Sequence, residues 1–450
     1  MRSARHLLAL MLMAALAGAV AAGSRAEAKT VTWLFARPVD GPVIQTVKEI
    51  AAEFQKIHPD FELALESTPD RPSYLQKLEI LAAAGDLPEM FDTDPTVFAE
   101  MLKNRGELVD VEKLLREFGK LDEFRPAALD YVRFDDGSLY LLPLEFHLEV
   151  FWYNTDIFKN VGVEPPETLE ELVEVAKILR SRGYIPIAVA GKEQWPLLRY
   201  LAFIPFRMTG NDYIMRLKRG EASLQDPIGM QAARFVYELG KNNAFQTGFA
   251  SHDYVQARDL FVSGKAAMYY MGSWELGTFT SDSLPDSTKG KLSYFKLPMT
   301  DNARTTRNEY FVVSGIGLAL NAKKFDNITR EFIRYLLDRY PTLYAAKEQF
   351  PPTKYELPGD SKVSELYRAF AKDIEQLGKQ FGVPWDTELD PASNSRIGQA
   401  LLLLAQTYQS PEEFARTMDA VIKENAPSSA SHKFVHCRGN VTRGARGRCG

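Results

Sequence analysis

Cysteine is almost missing from this sequence. The 450-residue chain has two, Cys437 and Cys449, both within its last fourteen residues. The body from 29 to 427 has none, which excludes a disulfide framework, a cysteine zinc site and a cysteine nucleophile there. Histidine is sparse too: His6, His58, His147, His252, His432 and His436 are the full set. None is paired at ligand spacing in the body; His432 and His436 with Cys437 could bind a metal in isolation, but in a flexible tail chance is the favoured reading, and no metal and no cofactor is expected. There is no Gly-x-Ser-x-Gly, no His-Glu-x-x-His and no glycine-rich phosphate loop after the first strand-like run. Those absences argue against the corresponding hydrolases and against nucleotide binding. Glu145 with Glu149, or Asp92 with Asp94, is a conceivable glycosidase pair. Among 59 acidic residues such pairs arise by chance, and no enzyme is expected.

Long apolar runs are also lacking. The longest, Leu7 to Val20, is too short to span a bilayer. With Arg2 and Arg5 before it and Ala26-Glu27-Ala28 after it, residues 1–28 read as a secretory signal cleaved near Ala28. No cysteine stands near that point for lipid attachment. The mature chain is expected to be exported, soluble and monomeric, in the periplasm or outside the cell, with no membrane insertion.

What is present is ordinary for a folded protein: 45% hydrophobic and 25% charged residues. The length calls for two domains. The body carries a net charge of −12, which disfavours nucleic acid or an anionic membrane as partner. Residues 428–450 hold five basic and no acidic residues and read as an unstructured tail.

Along the chain, the run from Thr30 to Phe35 is β-like, Val47, Ile50, Ala51, Phe54 and Ile57 recur at helical spacing, and Phe61 to Leu65 alternates. Strand, loop, helix, strand predicts an α/β lobe with a parallel sheet, whose ligands lie beyond the carboxyl ends of the strands. Thr168 to Glu171 and Ser410 to Glu413 are capping boxes that start helices. Ala266 to Met271 predicts a buried strand.

Five tryptophans stand at 33, 152, 195, 274 and 385. An indole offers an apolar face to the C–H face of a sugar ring, while carboxylates, amides and guanidinium groups bond its hydroxyls. Five segments carry a resemblance: FQKIHP at 54–59, PLEFHLEVFWYNTDIF at 143–158, PPETLEEL at 165–172, FVSGKAAM at 261–268 followed by GSW at 272–274, and SGIGLALN at 314–321. In this order they resemble carbohydrate-binding family 1 of ABC-importer solute-binding proteins, the maltose-binding-protein-like family, from about Trp33 to Ala426.

The resemblance implies two α/β lobes with a hinge and a ligand cleft between them. The expected N-terminal lobe is 29–146 plus 316–340, and the C-terminal lobe 147–312 plus 350–427. Crossings are expected near 146–149, 311–316 and 341–351. It implies capture of a sugar or oligosaccharide for an ABC permease. A polyol, a glycerophosphate or an acidic sugar remains the alternative. In the family the Gly-Ser-Trp turn faces the ligand, so Trp274 and Glu275 are the leading site residues. Trp195 follows as a second stacking ring. Glu145 and Phe146 are favoured over His147, which reads as a satisfied histidine. Asp94, Arg37 and Asp40 lie past strands of the first lobe. Trp33, Trp152, Tyr153 and Tyr270 read as core. The loop from Phe35 to Pro42 lacks the family's tryptophan run, which leaves the particular sugar open.

Overall fold

A computed structural model describes residues 29–425, apart from 38, 69–70, 358–360, 379 and 390. The signal segment, the basic tail and both cysteines lie outside the described residues. The described chain divides into two compact units. The first runs to Leu121 and takes in Tyr140–Leu142 and Ile316–Tyr344. The second holds Asp122–Leu139, Pro143–Gly315 and the chain from Ala345 on. Residues 122–139 and 143–146 thus group with the second unit, where the sequence reading assigned them to the N-terminal lobe. The chain passes between units at 142/143, 315/316 and 344/345, with a further excursion between 121 and 140.

The first unit contains β1 (Lys29–Phe35), β2 (Phe61–Ser67), β3 (Met90–Thr93) and β4 (Leu141–Leu142). The second contains β5 (His147–Asn154), β6 (Ile185–Ala188), β7 (Ala266–Gly272), β8 (Leu292–Phe295) and β9 (Val312–Val313). A last strand, β10 (Gly317–Leu320), returns to the first unit. The first sheet has the order β2-β1-β3-β10-β4. Its β1 is parallel to β2 and β3, as the strand–helix–strand pattern predicts, but β10 runs antiparallel to β3 and β4. A wholly parallel sheet is therefore not what forms. The sequence around β10 shows an apolar strand but carries no sign of its direction.

Val31, Trp33, Leu34 and Phe35 are buried, consistent with a strand covered on both faces. The helix Pro42–Ile57 packs Val43, Ile44, Val47, Ile50 and Phe54 inward, with Pro42 in its first turn. In the second unit the sheet order is β6-β7-β5-β8, with β9 also pairing with β5. All seven residues of β7 are buried. Both predicted capping boxes form: Thr168 with Glu171, and Ser410 with Glu413. Trp33, Trp152 and Tyr270 are buried as expected, and Tyr153 is partly buried against the cluster that holds Tyr270.

Candidate ligand-binding site

The end of β7 explains why a tryptophan stands beside a glycine and a carboxylate. Gly272 is fully packed, and a Cβ built on it would lie 2.0 to 2.4 Å from three atoms of the Trp274 ring. Glycine is required here for space, since its φ of −75° suits any residue. The indole folds back over the Gly272 backbone and covers that face. The indole and the His147 ring meet in a T-shaped contact, 5.6 Å between centroids at 89°. Its Nε1–H donates to Tyr254 Oη at 2.8 Å. The ring is partly buried at the rim of a hydrophobic cluster that includes Trp152, Tyr269 and Phe279. Gly272→Ala is expected to push the ring off this seat and destabilise the fold by about 1 to 3 kcal/mol as an overpacked site. A changed indole fluorescence spectrum with a lower urea midpoint checks it.

Glu275 is 3% exposed and accepts a hydrogen bond from the Tyr254 hydroxyl. Burial pushes its carboxyl above the ordinary glutamate value, against the bond from Tyr254 and the charge of Arg258. It is a buried support for the aromatic group rather than an open contact, which corrects the direct ligand role expected for it. The raised value fixes a sign. Folded Glu275 keeps its proton to a higher pH than the unfolded chain does, so its contribution is fully present below about pH 4.5 and fades as pH rises through the folded pKa. Glu275→Gln keeps an acceptor for Tyr254 and removes the titration. The melting temperature of this variant relative to wild type should climb between pH 4.5 and 7; a constant difference would refute it.

Glu145, two residues before β5 begins, is linked at 3.1 Å to Nε2 of His147, the first residue of β5, and His147 Nδ1 meets Ser273 Oγ at 3.1 Å. A serine–histidine–carboxylate line is the order of a hydrolytic triad. Here Ser273 is 0% and His147 1% exposed, so the serine offers no surface to a substrate. His147 is the satisfied histidine expected from sequence. Phe146 is also 0% exposed, packed in the core beneath Arg125, so its expected ligand contact is corrected to a packing role. Glu145 keeps 17% of its side-chain surface.

Trp195 opens the helix Trp195–Thr209 and joins the rim of the same cluster as Trp274. The guanidinium of Arg199, one turn on, lies 4.9 Å from its ring centroid and backs one face. Arg199 is itself held by both oxygens of Glu149 at 2.9 and 3.0 Å and by Asp386. Burial works against its charge, but Asp386 and Glu149 outweigh that and hold the pKa above its ordinary range. Just before Trp195, Gln194 has φ 63° and ψ −44°, a conformation a side chain seldom adopts. Its carboxamide lies against Gly398, where no Cβ would fit.

In the first unit, Arg37 is not an open hydroxyl binder. Its side chain is 5% exposed, its Nε pairs with Asp92 at 3.1 Å, and it donates to the Ile316 carbonyl. Asp92 is a buried hub that also accepts from Trp33 Nε1 at 3.1 Å and Ala36 N at 3.0 Å. Asp40 is exposed and Asp94 partly buried just past β3. Asp94 does not cap the next helix; Thr96 does. Neither conceivable glycosidase pair offers two open carboxyls, because Glu149 and Asp92 are buried and paired.

Sequence reasoning missed Tyr254, Ser273 and Arg199. Tyr254 had one available signal, the capping box between Asp253 and Gln256 that seats it in the first turn of the helix Tyr254–Val262. Among the described residues, no group of three or more His, Cys, Asp or Glu is placed to hold a metal. No helix among them is long and apolar enough to cross a membrane.

Residues 40–339 match the sequence model of the family described as bacterial extracellular solute-binding protein. A multiple sugar-binding protein of Streptococcus mutans is 24% identical over 305 residues, covering 65% of this chain and 67% of that protein. An sn-glycerol-3-phosphate-binding periplasmic protein of Brucella suis is 25% identical over 306 residues, covering 64% and 67%. A solved structure from work on xylan utilization by Caldanaerobius polysaccharolyticus superposes with a TM-score of 0.75 at 25% identity, covering 87% of this chain and 99% of that one. With most of its length inside the family's sequence model and with this fold, the chain belongs to the bacterial extracellular solute-binding proteins.

Proposed function

We propose that the chain is the capture component of an ABC importer, exported after cleavage near Ala28. Its solute is an uncharged sugar or oligosaccharide, passed on to a membrane permease. The observation that carries this reading is the seating of Trp274. Its indole is held on one face by the Gly272 backbone, by a T-shaped contact with His147 and at Nε1 by Tyr254. A rigid, part-exposed ring costs little entropy when it binds a flat apolar face. Trp195 repeats the device with a guanidinium behind it. Such rings suit the C–H face of a pyranose, and Glu145 suits its hydroxyls.

Charge favours a neutral solute over the anionic alternative. An anion needs guanidinium or ammonium groups aimed at it. Around Trp195 and Trp274 in the second unit, Arg199 already meets two carboxylates, while Glu145 and Glu275 add further acidic groups. In the first unit, Arg37 is taken up by Asp92.

The test is a thermal-shift panel on the full mature chain. It contains xylo-, chito- and malto-oligosaccharides, raffinose, glucose, galactose, glucuronate, glycerol and sn-glycerol 3-phosphate. A ligand bound only by the folded state stabilises by about 2.7 kcal/mol at a hundredfold excess over its Kd. A shift confined to neutral sugars is expected. Shifts only with glucuronate or glycerol phosphate would overturn the neutral-solute reading and leave the family assignment intact.

A further inference from the structure

We propose that Tyr254 is a positioning residue for solute recognition, acting by fixing the Trp274 ring. This rests on the reading of Trp274 as the sugar platform. Indole Nε1–H donates to Tyr254 Oη at 2.8 Å, and the Tyr254 hydroxyl proton goes on to the Glu275 carboxylate. The hydroxyl has only one proton, so directing it to Glu275 leaves its lone pairs facing the indole. A buried carboxylate thus orients a hydroxyl, and the hydroxyl orients a tryptophan.

Each end of this chain is anchored separately. Tyr254 is held in the first helical turn by the Asp253–Gln256 capping box, with bonds of 2.9 and 3.0 Å. Glu275 lies in the turn directly after Trp274 and is nearly fully buried. Gly272 limits the ring from beneath, and His147 packs against it at right angles. Neither of those contacts is directional, and the Nε1 bond adds the one that is, fixing where the indole N–H points. The role explains why an apolar rim holds a tyrosine and a carboxylate there: burying them costs free energy that only a specified geometry returns.

The experiment compares wild type, Tyr254→Phe, Trp274→Phe and the double variant. Trp274→Phe keeps a ring but has no indole N–H. In ¹H–¹⁵N spectra the Trp274 indole signal is the one lost in Trp274→Phe. Tyr254→Phe is expected to move that signal upfield and speed its exchange with water, with no sugar present. An unmoved signal would overturn the proposal. Affinity is then read for the neutral panel sugar with the largest thermal shift. Tyr254→Phe should weaken it roughly five- to tenfold, the scale of one lost hydrogen bond. In the Trp274→Phe background the same change should have no further effect. An equal loss in both backgrounds would overturn the positioning role while sparing the platform. Conversely, Trp274→Ala binding every panel sugar as wild type does would overturn the platform reading, and with it the role of Tyr254 in recognition.

Discussion

Arg207→Met is expected to destabilise the protein by about 4 kcal/mol, the largest single effect outside the aromatic rim. Arg207 has no exposed surface, yet it carries a full cationic fork within the helix Trp195–Thr209. It donates to the carbonyls of Leu297, Pro298, Thr306 and Glu309 and to Thr305 Oγ1. Its own carbonyl accepts from the backbone N–H of Arg304 and Thr305. One side chain thus gathers the segment from 297 to 309, which leads from β8 toward β9. Burial pushes its pKa down to about 10, so it remains charged at neutral pH. Methionine keeps an unbranched apolar stem but lacks the guanidinium head, and it strands several buried acceptors, each at about 1 to 3 kcal/mol. Relief of guanidinium desolvation offsets part of that. Urea unfolding followed by circular dichroism reads the result as a lower midpoint at unchanged slope. A loss below about 1 kcal/mol would mean that water replaces the guanidinium.

The sequence disclosed Trp274 through a short motif and an odd neighbour, but not the reason for that neighbour. Gly-Ser-Trp is local, and its glycine is needed because the ring two residues on lies over it. The partners that set the ring come from elsewhere: Tyr254 from the preceding helix and His147 from β5. No periodicity within either segment records a contact between them. Phe146 and Arg37 went the other way. Each stands just outside a strand, where position alone suggests a ligand contact, and each is packed inward against a distant partner. The strands, caps and core tryptophans were legible because burial and capping act within a few residues. Direction in the first sheet was not, since β10 reaches it only after the chain has built most of the second unit.

The same contacts make Trp274→Ala the variant with the largest expected effect on binding. Loss of about 2 to 3 kcal/mol, or on the order of 30- to 150-fold in Kd, is the scale of a well-seated aromatic hot spot. Three losses combine. The apolar face that would meet the sugar disappears. The Tyr254 hydroxyl loses its donor, and the T-shaped contact with His147 is gone. Stability should fall far less than affinity, because the ring is partly exposed and stands at the rim of its cluster rather than within it. That split separates a platform from a plug. Isothermal titration with the strongest neutral sugar of the panel, beside a urea melt of the ligand-free variant, measures both. A large affinity loss with a midpoint shift of about 1 kcal/mol or less fits the platform. If the melt instead falls by about 3 to 5 kcal/mol while the remaining folded protein binds normally, Trp274 is core, and the sugar must be recognised elsewhere.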